Sequence, residues 1–68
     1  MNQIIKDQID HLYLKMIAVS EELSEEIGKR ASVSQILADA YMNGPEAKVF
    51  YDKHGVIFNQ IQELKKQL

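Results

Sequence analysis

Chemistry in this chain would have to come from a few side chains. Glu21, Glu22, Glu25 and Glu26 place carboxylates four residues apart on one helix, a spacing from which oxygen ligands could project toward a metal. Helical two-metal sites add a Glu-x-x-His step, which the sequence lacks. Glu25 and Glu26 instead precede Lys29 and Arg30 by four residues, the order that favours ion pairs on a solvated helix face. Asp7 and His11 are also four apart, and His54 lies far along the chain. With two histidines in all, a three-ligand zinc site would need carboxylates or a second subunit. His11 reads as an exposed helical residue. His54 falls among apolar positions, where it is a hydrogen-bonded or partly exposed core histidine or a device that fixes register and responds to pH. Ser20, Ser24, Ser32 and Ser34 lack the strand–turn–helix setting of a nucleophile elbow, and no glycine-rich phosphate loop occurs. The reading is a protein without catalytic residues, cofactor or metal, and not an enzyme.

Composition points the same way. Sixty-eight residues, 46% hydrophobic and 26% charged, make one helical domain over residues 1–68. The absence of cysteine excludes disulfides and thiolate metal sites. A net charge of −2 supplies no bulk attraction to nucleic acid or to an anionic membrane. No run of eighteen apolar residues could span a bilayer, and the start lacks the layout of a secretory signal. The expectation is a soluble, cytoplasmic protein.

Three segments must carry these residues. From about Asn2 to Ile27, the residues Ile5, Ile9, Leu12, Met16, Val19 and Leu23 recur in steps of four and three, the spacing of a coiled-coil seam. Ile4, Tyr13, Leu14 and Ile17 widen that stripe, which predicts contact with more than one neighbour. Gly28 signals the helix end, although Lys29 and Arg30 suit an extension of its last turn. Ser32 and Gln35 have the spacing of a capping box that opens a second helix ending near Met42. Val33, Ile36, Leu37, Ala40 and Tyr41 form one apolar face on it. Asn43-Gly44-Pro45 then breaks the chain, since glycine tolerates positive φ at a helix end and proline suits the next helix's first position. From Pro45 to about Gln67, Ala47, Phe50, His54, Ile57, Ile61, Leu64 and Leu68 make a second seam. Val49, Val56 and Phe58 lie off that line and need cover from elsewhere. Gly55 weakens the helix by up to about 1 kcal/mol and marks a close approach or a bend.

The fold class is therefore all-α, with three helices, long, short and long, in a hairpin or bundle with coiled-coil-like seams. A domain of this size buries only about 60% of its unfolded surface and is marginal without a staple. With no disulfide and no evident metal, self-association is the remedy. A homodimer or higher even oligomer is expected through Ile5, Ile9, Leu12, Met16, Val19 and Leu23 of the first helix and Phe50, His54, Ile57, Ile61 and Leu64 of the last. The same residues could instead form an intramolecular core. An alternative use is DNA reading by the helix over 32–42, whose serine and glutamine start resembles small helix-turn-helix domains. Its polar face offers Gln35 and Asp39 but no lysine or arginine, and phosphate contacts need a basic patch, so nucleic acid is an unlikely partner.

From about residue 18 onward the chain carries Ala18, Leu23 and Ile27, then Ser32 through Ala40, Gly44-Pro45-Glu46-Ala47, and the glutamine-bearing run from Asn59 to Leu64. In these residues it resembles the small all-helical YlbF/YmcA/YheA-type family. The resemblance implies an all-α oligomer without catalytic residues that acts as a regulatory partner in complexes linked to RNA processing and developmental decisions. Cluster binding, associated with some members, transfers to no position in a chain without cysteine. Together these readings give a non-enzymatic regulatory or adaptor protein that works by protein–protein contact with itself and a further protein partner.

Overall fold

The first apolar stripe winds a single helix that runs past its expected stop. In the computed structural model, which describes residues 2–68, α1 spans Asn2–Ala31, α2 spans Gln35–Met42 and α3 spans Pro45–Lys65. No strand occurs among the described residues. Gly28 does not end α1, because no glycine here adopts positive φ and the basic pair continues the helix. Arg30 reaches back one turn, donating from Nη1 to the Glu26 carbonyl and to its carboxylate, both at 2.9 Å. Those bonds reinforce the turn that contains the glycine.

The start of α2 also differs from the expected capping box. Ser34, not Ser32, is the N-cap, in extended backbone with φ −163° and ψ 136°, and its Oγ accepts the Ile36 N–H at 3.1 Å. Ser32 donates instead to the Lys29 carbonyl at 2.7 Å, and Gln35 donates to Asp39 at 2.9 Å. Both side chains thus bond within their own helix ends, which leaves the reciprocal pair unmade. At the other end, the Asn43 side chain and N–H both donate to the Asp39 carbonyl. Gly44 follows with φ −96°, so positive φ is not its role. A Cβ there would stand 3.1 Å from the Ala40 carbonyl oxygen and 3.5 Å from that of Tyr41, and glycine supplies the room that this close turn needs. Pro45 then opens α3, with Glu46 in its first turn where the helix dipole favours an acid.

The two long helices lie antiparallel along most of α3. Arg30 pairs with Glu46 at 3.5 Å at one end, and Lys65 lies 5.5 Å over the Tyr13 ring toward the other. This register sets Lys65, the last residue of α3, beside Tyr13, so the first turns of α1 extend past the end of α3. At about 1.5 Å per residue, α1 is about 45 Å long, which accounts for the 50 Å long axis of the molecule. The radius of gyration is 15.3 Å, against about 11 Å for a compact domain of this length. Accessible surface is 5023 Å², where about 4,400 Å² is expected for this mass. Only Ile9, Ala38, Tyr41, Ala47 and Ile61 are buried among the described residues. A rod two helices wide has little interior to fill.

Candidate interaction surface

One cation organises the corner where the three helices meet. The Arg30 guanidinium stacks 3.8 Å over the Tyr41 ring of α2, while its nitrogens hold Glu26 on α1 and Glu46 on α3. Its planar fork can serve two acids and an aromatic face together, which a lysine ammonium could not. Lys29 adds a second contact to Glu26 at 3.3 Å. The hydrogen bond from Arg30, followed by that from Lys29, holds the Glu26 carboxyl below its ordinary value of 4.5. Glu26 raises the already high Arg30 value in return. The spacing of Glu26 and Arg30 was legible in the sequence, but the stack on Tyr41 and the reach to Glu46 depend on the fold. Glu25, also expected to pair, enters no ion pair among the described residues.

The residues named from the sequence as an interface lie along the α1–α3 contact. Ile9 and Ile61 are buried, and Ile5, Leu12, Met16, Val19, Leu23, Phe50, His54, Ile57 and Leu64 are half-buried. None of the eleven is exposed. The two three-four stripes face each other within one chain, because a tight corner lets the antiparallel helices meet along their most apolar lines. His54 takes its place in that seam between Phe50 and Ile57. His11 is exposed, as is Asp7, which accepts from Gln3 at 2.8 Å. No group of three or more His, Asp or Glu side chains that could hold a metal ion is found among the described residues.

The exposed apolar residues are those that flank the seams. Of the apolar face expected for the second helix only Tyr41 is buried, under Arg30, whereas Val33, in the turn before α2, is 75% exposed, Ile36 79% and Leu37 48%. Ala38, outside the expected face, is fully buried. A helix of eight residues crossing the end of a two-helix rod touches it along one side only. The side that wins carries the small Ala38, which permits close approach, and Tyr41, which Arg30 fixes. On the long helices Ile4, Tyr13, Leu14 and Ile17, together with Val49, Val56 and Phe58, all remain exposed. These are the residues whose sequence positions called for neighbours, and one chain supplies too few. Exposed apolar patches of a few hundred Å² on a small protein mark places where another molecule binds.

Among the described residues no helix is long and apolar enough to cross a membrane. Compared with known proteins, the chain matches no family model, no curated protein and no solved structure.

Proposed function

We propose that this protein is a non-enzymatic adaptor or regulatory protein of the cytoplasm that works by protein–protein contact as a helical homo-oligomer, a dimer or higher even assembly. The observation that carries this reading is the imbalance, among the described residues, between five buried apolar residues and twelve large apolar side chains left exposed. Hydrophobic burial drives both folding and association, so a rod that cannot cover its own flanks gains by covering them with another chain. The role agrees with what the resemblance to the YlbF/YmcA/YheA-type family implies. Recognition of DNA by α2 has less support, since phosphate contacts need basic side chains and the α2 segment has none.

Sedimentation velocity over a micromolar dilution series tests the self-association. An even-numbered assembly that persists in about 0.5 M salt is expected, because apolar contact is not screened by ions. A folded monomer at every concentration would overturn the proposal.

A further inference from the structure

The turn between α2 and α3 contains a peptide link that can react with itself. Of the three asparagines in the chain, Asn43 alone precedes a glycine, whereas Asn2 and Asn59 each precede a glutamine. The carboxamide carbon of an asparagine is an electrophile that the next residue's backbone nitrogen can reach by closing a five-membered ring. A side chain on that next residue crowds the approach, and glycine has none. In such an attack the bond from the Gly44 nitrogen to Asn43 Cγ forms and the Cγ–Nδ2 bond breaks. The Gly44 amide proton passes to solvent base, and Nδ2 takes up a proton and departs as ammonia. Water then opens the cyclic imide. Addition at Cγ gives an aspartate, and addition at the backbone carbonyl gives an isoaspartate, whose main chain runs through Cβ and Cγ. Water is the only co-reactant.

The fold holds this link in an unreactive form. Asn43 is exposed, so water and base reach it, yet both reacting groups are tied down. The Asn43 side chain donates to the Asp39 carbonyl at 2.9 Å, and the Gly44 N–H donates to the Tyr41 carbonyl at 3.1 Å. With ψ of 3° at Asn43, the Gly44 nitrogen eclipses the Asn43 backbone nitrogen and stands away from Cβ. Ring closure needs that bond turned by roughly a third of a circle, until the nitrogen eclipses Cβ instead. The turn takes the Gly44 N–H off Tyr41, and departure of Nδ2 ends its bond to Asp39. The surroundings resist such a movement. Gly44 already sits so close to the Ala40 carbonyl oxygen that an added Cβ would stand 3.1 Å from it, and Ala38 and Ala47 on the two flanks are fully buried. The reaction therefore waits for the turn to open.

We propose that Asn43-Gly44 is a self-converting modification site, guarded by the α2–α3 turn and released when that turn opens, whose product loosens the junction that guarded it. Neither aspartate nor isoaspartate at position 43 has an Nδ2–H to give the Asp39 carbonyl. The new carboxylate lies at the C-terminal end of α2, where the helix dipole disfavours an anion. It stands four residues after Asp39 and three before Glu46, both acidic. Arg30, the cation of this corner, already serves Glu26 and Glu46. An isoaspartate also adds a methylene to the main chain of a turn that has no slack. Each conversion thus favours the next opening of the same chain, at the corner where Arg30 ties α1 to α2 and α3. The site depends on covalent connectivity and local bonds, so it is independent of the self-association argued above.

The test incubates the full chain in warm, mildly alkaline buffer, once folded and once in guanidinium chloride. Ammonia release, peptide mass spectrometry and labelling by an isoaspartyl methyltransferase read the conversion. In denaturant it should concentrate at Asn43, vanish in Asn43→Gln, which would have to close a larger ring, and slow several-fold in Gly44→Ala. Those comparisons hold whether or not the variants fold. In the folded wild type Asn43 should convert about 30-fold or more slowly than in denaturant, the factor that two hydrogen bonds lost on opening supply. The converted chain, separated by its added charge, and the Asn43→Asp variant should each melt about 5 °C or more below the wild type. Conversion spread evenly over the three asparagines would sink the site. Equal rates in buffer and denaturant would remove the guard, and a converted chain that melts with the wild type would remove the loosening.

Discussion

Truncating Ile61 and Ile36 to alanine makes the same chemical change at opposite ends of the burial scale. Ile61 is the one large side chain among the described residues that is fully buried, whereas Ile36 on α2 is 79% exposed. Removing three carbons from a buried site loses about 0.8 kcal/mol each, or about 2.5 kcal/mol. The cavity left behind brings the cost of Ile61→Ala to about 3–4 kcal/mol. For 68 residues the whole stability is on the order of 3–10 kcal/mol, so this substitution removes a third of it or more. Ile36→Ala loses almost no burial and gains a few tenths of a kcal/mol in helix propensity. Urea unfolding followed by circular dichroism, at one fixed protein concentration, reads the difference directly. With a slope near 1 kcal/mol per molar urea, Ile61→Ala should lower the midpoint by about 3 M, and Ile36→Ala should leave it in place. Equal midpoint losses in the two variants would refute the packing described here, since they would require α2's outer face to be as well covered as the seam.

Four further outcomes follow from local geometry. Ser34→Ala should cost about 1 kcal/mol through loss of the cap on the Ile36 N–H, and Ser32→Ala less than about 0.5 kcal/mol, both read from thermal melts. Gly44→Ala should cost about 1–2 kcal/mol because the Ala40 carbonyl is backbone and cannot swing away. Gly28→Ala, which meets nothing within 4 Å, should gain up to about 1 kcal/mol in the same measurement. Because Arg30 holds the Glu26 carboxyl below 4.5, its contribution is present above that value and fades as pH falls through the lower folded-state value. The acid side of a stability–pH curve should therefore be shallower for Glu26→Gln than for the wild type, and high salt should shrink the difference because the pair is solvent-facing.

Three helices, their order and their apolar seams were legible because apolar spacing of three and four is a strong local signal, repeated here over many turns. The helix ends were less so. At Gly28 a local stop signal competed with Arg30, whose bonds to Glu26 carried the helix on to Ala31. The α2 cap moved by two residues because Ser32 had a closer carbonyl to bond. Periodicity said that Ile9 and Ile61 would be covered, but not by which molecule, since the same stripe serves a partner helix in the chain or outside it. Their burial within one chain transfers the open question to Ile17, Tyr51 and Phe58. Ile17 looked like mere broadening of a stripe, Phe58 like a residue off the seam, and Tyr51 gave no signal, because the sides of the two helices that adjoin are fixed only by the register that Arg30–Glu46 and Tyr13–Lys65 set.

That register gives α1 two kinds of stability along one continuous backbone. Beside α3, its amide hydrogens are released only when the pair of helices separates, so they exchange with deuterium at the rate of global opening. The first turns of α1 extend past the end of α3 and keep little cover beyond Ile5, and a helical stub shorter than a dozen residues frays in water. Exchange should accordingly quicken stepwise from about Ile9 toward Asn2, making the tip of the longest helix the first part of the fold to melt.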